Sequence, residues 1–243
     1  MFRTSTMRIP KWWLVAMALA MSLHASAQDA SDEAPAGIPE PVAAAMMRLA
    51  AAGPEDRLVF LGPGDGRTVI AAASRSGVKT SLASTDPFNT DLTAATVIAL
   101  DIPAQAAARL RPLLLVLRPG TRVVSPDAHL GDWKPDRAVA VGQANAHLWT
   151  VPANLTGNWC GQDAARGAVL RIDQRFQVVD GEFSKATKSL RFEGRIEGTR
   201  IAAAAGRLAL EQSGDILRVT IAQGNYAAYR FASFARTCCG TCP

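Results

Sequence analysis

Two hydrophobic periods divide the chain near residue 152. Before it, apolar residues come in short solid runs: RLVFL (57–61), ATVIALDI (95–102) and TRVVSP (121–126). Such runs are the pattern of strands buried on both faces of a parallel sheet. VAAAMMRLAAAG (42–53) places Val42, Met46, Leu49 and Ala50 at helical spacing, with Gly53-Pro54 as a stop. RTVIAAASRSG (67–77) and PAQAAARLRPLLLVL (103–117) also read as helices, KTSLAST (79–85) as a weak strand, and RAVAVG with AHLWTV as a hairpin. Strands alternating with helices predict crossover units and a mostly parallel sheet. Beyond Val151-Pro152 the period becomes two. Leu170, Ile172, Phe176 and Val178 alternate with Arg171, Asp173, Arg175 and Gln177, and Leu217, Val219 and Ile221 flank Arg218 and Thr220. Asp180-Gly181, Glu197-Gly198, Ser213-Gly214 and Gly224-Asn225 supply turn signals. Short alternating strands at this spacing predict a small antiparallel β-barrel or sandwich. The fold class is therefore α/β followed by all-β.

The first 27 residues change the compartment. Arg3, Arg8 and Lys11 precede the apolar run WWLVAMALAMSL and the small-residue site Ala25-Ser26-Ala27. That order is a secretory signal peptide, with cleavage expected before Gln28 and no stable membrane insertion afterwards. The expected location is periplasmic or secreted. Domains are then 28–37 as a flexible leader, 38–151 as the α/β domain, 153–236 as the β domain and 237–243 as a cysteine-rich tail. Cleavage removes three basic residues and no acidic one, so the net charge falls from +5 to +2. That balance argues against a nucleic-acid footprint. With 49% apolar and 19% charged residues, disorder is excluded as well.

The chemistry concentrates in Leu61-Gly62-Pro63-Gly64-Asp65-Gly66-Arg67, which follows an apolar strand and opens a helix. Glycines there admit close approach of a ligand, and the helix start offers free N–H groups. The loop, the stretch RTVIAAASRSG, and the segments DPFNTDLTAATVIAL, RLRPLLLVLRPGTRVVS and GDWKPDR together resemble the class I S-adenosylmethionine-dependent methyltransferases. The wording is that of bacterial members distantly similar to mitochondrial protein-lysine methyltransferases, and it spans about residues 38–151. The resemblance implies S-adenosylmethionine as cofactor. It places Gly62, Gly64 and Gly66 around the cofactor's methionine part and ribose, with Asp65 and Arg67 completing the motif.

Three further positions follow from the resemblance. Phe60 stands where the family motif opens with an acid. Asp86 suits a ribose-binding acid at the end of the second strand by spacing, or the adenine side of a third strand by wording. Only 25 positions separate Gly66 from Asp91, so one strand–helix unit of the family is missing. Asp101, after the fourth strand of the family order, is the candidate catalytic residue, able to orient a nucleophilic amine; a helix cap before Pro103 is the other reading. Asp127 and His129, in the next loop, are weaker candidates, and Trp133 and Trp149 read as packing residues.

In the β domain, Gly157-Asn158-Trp159 with a late Arg230 or Arg236 is weakly lipocalin-like, the arginine stacking on the indole. Four cysteines, Cys160, Cys238, Cys239 and Cys242, favour disulfides in an oxidising compartment. No metal site is expected. Two function classes stay open: a methyltransferase, with protein lysine among its candidate substrates, and an exported pseudoenzyme or binding module taking a protein or small molecule.

Overall fold

The computed structural model describes residues 37–126 and 130–236, which lie within one compact unit. Helix α1 (Glu40–Leu49) starts behind Pro39, with Pro41 in its first turn and Glu40 near its positive end. Strands β1 (Arg57–Leu61), β2 (Thr80–Ser84), β3 (Val97–Leu100) and β4 (Arg122–Ser125) are parallel. Helix α2 (Arg67–Arg75) links β1 to β2, and α3 (Ala104–Leu115) links β3 to β4. The hairpin β5 (Arg137–Val141) and β6 (Ala144–Thr150) completes an open sheet in the order β2-β1-β3-β4-β6-β5, with β6 antiparallel to β4.

Strand parity sorts the core into two layers. Leu58 and Phe60 of β1 face α1 and α2, together with Val97, Ala99 and Val124. Val59 and Leu61 face α3 with Ile98, Leu100, Val123 and Trp149. The sheet is therefore covered on both sides, as its solid apolar runs require. β2 is the edge strand. The chain runs from Ser84 to Val97 through turns with no helix, so the strand–helix unit missing from the sequence is missing from this sheet.

At the amino end of the sheet, Arg122 joins Asp56 and donates to Ala50 O at 2.7 Å. Asp56 also accepts from Thr96 Oγ1 at 2.7 Å and from the Gly53 N–H at 2.9 Å. Burial by itself pushes the Asp56 pKa up, but the hydrogen bonds from Thr96, Arg122 and Gly53 outweigh it and hold the carboxyl below its ordinary value. A depressed folded-state pKa contributes stability above the unfolded value, near ~3.9, and that stability is lost as pH falls through the folded value. Asp56→Asn is expected to cost about 2 kcal/mol at pH 7 and to flatten the decline in stability between roughly pH 5 and pH 3. Urea titrations across that range check it; unchanged acid sensitivity would assign it to other carboxylates.

The second region is a closed antiparallel barrel of eight strands: β7 (Gly157–Gly161), β8 (Ala168–Arg175), β9 (Val178–Lys185), β10 (Lys188–Glu197), β11 (Arg200–Ala203), β12 (Leu208–Ser213), β13 (Ile216–Ala222) and β14 (Ser233–Arg236). β14 pairs with β7 and closes it. Its own side chains fill the interior: Trp159, Phe183 and Phe234 are fully buried, and Tyr229 stacks on Phe183 at 4.2 Å. Arg236, rather than Arg230, lies 4.5 Å above the Trp159 ring.

Two sequence expectations fail here. Asp180-Gly181 is no turn; it lies within β9, where Gly181 leaves room for the Phe192 ring, 2.1 Å from where a Cβ would stand. The turn falls at Phe176-Gln177, between the paired Arg175 and Val178. Val178 is consequently exposed, and Val179 takes the inward place.

That turn docks the barrel on the α/β region. Trp133 Nε1 donates to Gln177 Oε1 at 2.7 Å, Gln177 Nε2 to Asp136 Oδ2 at 3.1 Å, and Arg195 to Asp136 at 3.1 Å. The Trp133 and Phe176 rings stack at 6.2 Å. Burial raises the Asp136 pKa despite donors from the Thr150 N–H, Gln177 and Arg195. The Ala153 N–H meets Gly198 O at 2.7 Å beside Gly120, at the amino end of β4. These contacts lie away from the carboxyl ends of the parallel strands. Among the described residues no helix is long and apolar enough to cross a membrane.

Candidate functional site

The sheet order reverses between β1 and β3, since the chain leaves β1 for β2 on one side and returns to β3 on the other. Ligands of open α/β sheets bind outside the carboxyl ends of the strands at such a point. The glycine loop lies there. The Gly62 N–H donates to Ser84 O at 3.1 Å, which ties the loop to the end of β2. The Asp101 N–H donates to Leu61 O at 2.8 Å, which ties the end of β3 to the end of β1.

Each glycine has its own reason. A Cβ on Gly62 would stand 2.8 Å from Asp101 Cβ, from Asp101 O and from Phe60 Cζ. A Cβ on Gly66, at φ +61°, would stand 2.4 Å from Phe60 Cδ1. Gly62 and Gly66 are therefore required by the fold, with the Phe60 ring as the floor under both. Gly64 differs: its φ is +78°, it is exposed, and nothing lies within 4 Å of where its Cβ would be.

Among the described residues three carboxylates lie around the loop, and two are already engaged. Asp65 caps α2, accepting from the Arg67 N–H at 3.0 Å and pairing with its guanidinium at 2.9 Å; the Arg67 side chain is the main reason its pKa is low. Asp86 follows β2 and accepts from Asn89 Nδ2 at 2.7 Å and from the N–H groups of Phe88 and Asn89. Those bonds, the Asn89 side chain first, lower its pKa. Because β2 is the direct neighbour of β1, Asp86 stands after the second strand of the family order. Asp101 is half-buried and meets no hydrogen-bond donor among the described residues; burial raises its pKa.

The structure thus gathers Gly62, Gly64, Asp65, Gly66, Asp86 and Asp101 at the carboxyl edge of one sheet. The sequence did not reveal the Phe60 floor, although its parity with Leu58 points it toward α2. Asp127 and His129 lie outside the described residues, as do Cys238, Cys239 and Cys242. Cys160 is buried on β7. A groove of about 720 Å³ is lined by barrel residues; there Arg171 pairs with Asp173 and Arg191 with Glu182. Among the described residues no group of three or more His, Cys, Asp or Glu is arranged to hold a metal.

No family model matches this chain. A protein-lysine N-methyltransferase of Saccharolobus islandicus (strain REY15A) is 28% identical over 135 residues, 44% of this chain and 84% of that protein. A solved RNA methyltransferase from Salinibacter ruber, in complex with S-adenosyl-L-homocysteine, is 33% identical over 49% of this chain and 95% of that chain, with a TM-score of 0.43. Both matches cover about half of this chain, and over that half it is similar in sequence to proteins named as methyltransferases.

The residues present fit the cofactor in part. Gly64 leaves a space that any side chain would fill, and Asp101 offers a carboxylate without a donor. Position 60 offers no carboxylate, and Asp86 already accepts from Asn89 and from the N–H groups of its own turn.

Proposed function

We propose that this protein binds S-adenosylmethionine at the glycine loop and methylates an amine, with protein lysine as the substrate class. The observation that carries the reading is the contact of Gly62 with Asp101 at the reversal point of the sheet. The lysine preference follows from the similarity to the Saccharolobus protein and to the wording of the loop. Bound there, S-adenosylmethionine would supply an electrophilic methyl group. The loop would press its backbone against the methionine part, and Asp101 would present a half-desolvated carboxylate to a cation. Calorimetric titration with S-adenosyl-L-homocysteine, followed by labelled methyl transfer to lysine-rich protein with RNA as a control acceptor, tests it. Saturable binding with transfer to protein is expected; transfer to RNA alone would overturn the substrate class.

A second reading, binding without transfer, is favoured by Phe60 in the acid's position and by Asp86 closed into its own turn. Saturable binding without transfer to any acceptor would select it.

We further propose that the protein is exported, that the domains divide near residue 152, and that the lipocalin-like features are architectural, because aromatic side chains occupy the barrel interior. Export predicts a mature N-terminus at Gln28. A mature N-terminus still at Met1 would mean an uncleaved anchor.

Cys160 is expected to pair with Cys238 or Cys239. β14 runs antiparallel to β7 with Ala235 opposite Cys160, so the tail must turn back after Arg236 to reach it. Peptide mapping without reductant decides this; a free Cys160 thiol would defeat it. Such a bridge closes a long loop, for which chain-entropy arguments give about 4 kcal/mol.

A further inference from the structure

We infer that Asp101 binds the α-ammonium of the cofactor's methionine part, in place of an acid at the end of β1. The inference rests on the cofactor reading above and deepens it. The cofactor carries an ammonium that needs an acceptor once it leaves water. Position 60, where the family motif has its acid, holds a phenylalanine whose ring is packed beneath Gly62 and Gly66. That buried ring brings no carboxylate to the ammonium, and it cannot move without emptying the space under both glycines.

Of the three carboxylates around the loop, Asp65 is held by Arg67 and Asp86 by the N–H groups of Phe88 and Asn89. Of these three, only Asp101 meets no donor among the described residues. Its Cβ and carbonyl oxygen lie against Gly62, the first glycine of the loop, so its side chain starts beside the loop. The Asp101 N–H bond to Leu61 O fixes the Asp101 backbone relative to β1. A half-buried carboxylate beside a cradle of backbone gains most from a cation that donates several hydrogen bonds, and an ammonium has three donors. A role confined to orienting the acceptor amine would leave cofactor affinity independent of this residue.

The test uses the purified protein, calorimetry, and two probes: S-adenosyl-L-homocysteine and its deaminated analogue, which keeps the carboxylate and lacks the ammonium. Asp101→Asn is expected to weaken S-adenosyl-L-homocysteine by roughly tenfold to hundredfold, the worth of a hydrogen bond between charged groups. It should leave the weaker binding of the deaminated analogue unchanged, and Asp101→Glu should restore part of the loss. The thermal midpoint of Asp101→Asn should equal or exceed that of the parent, because a desolvated charge without a partner is removed. Equal affinity of parent and Asp101→Asn for S-adenosyl-L-homocysteine overturns the assignment while leaving the cofactor reading intact. An equal loss for both probes overturns it too. Absence of binding of either probe to the parent protein removes the cofactor reading and this inference together.

Discussion

Replacing Gly64 with leucine is expected to abolish binding of S-adenosyl-L-homocysteine while the fold survives. Gly64 sits at φ +78°, where a side chain costs roughly 1–3 kcal/mol, and no atom stands within 4 Å of the new Cβ. A domain stable by about 5–15 kcal/mol tolerates that. The leucine would then project from the loop into the space that a ligand backbone needs. Gly62→Val is the contrast. Its Cβ would collide at 2.8 Å with the Asp101 backbone as well as with its side chain, so β1 and β3 must separate. That variant should lose stability before it loses binding. Calorimetric titration beside thermal melts reads both effects. Saturable binding that survives in Gly64→Leu would place the ligand elsewhere.

Trp133→Ala should be the most damaging single change outside the loop. Trp133 is almost fully buried, its indole N–H donates to Gln177, and its carbonyl accepts from Trp149 Nε1 at 2.9 Å. Truncation removes about 3–5 kcal/mol of packing and leaves the Gln177 oxygen buried without its donor, a further loss of roughly 1–3 kcal/mol. Because these groups join the barrel to the α/β region, the expected result is a lower melting temperature and two separate unfolding transitions. Trp133→Phe, which keeps much of the volume and loses only the hydrogen bond, should fall between. Scanning calorimetry distinguishes these outcomes. A single transition with an unchanged midpoint would show that the joint lies elsewhere.

Much of the site was legible in the sequence because its requirements are local. A glycine loop between an apolar strand and a helix names its own place in an α/β sheet, and Gly62, Gly64 and Gly66 are found there. The state of each carboxylate was not legible. Asp65, Asp86 and Asp101 look alike in a string of letters, yet the first two are closed by neighbours two or three residues away and the third is open. Burial makes the difference for Asp101, and burial depends on where β3 lies beside β1.

The hydrophobic periods alone fixed the order of α/β and all-β regions and the buried parallel strands, because solid and alternating patterns bury different numbers of faces. Tertiary structure decided what local signals misread. Asp180-Gly181 has turn chemistry but lies within β9, since the strand needs a residue without a side chain beneath the Phe192 ring. Phe176-Gln177 has no turn chemistry, and Phe176 takes a positive φ of 53°, yet the chain reverses there. Its cost is offset by contacts with Trp133 and Arg111, residues more than forty positions away, whose proximity exists only once the two regions have docked.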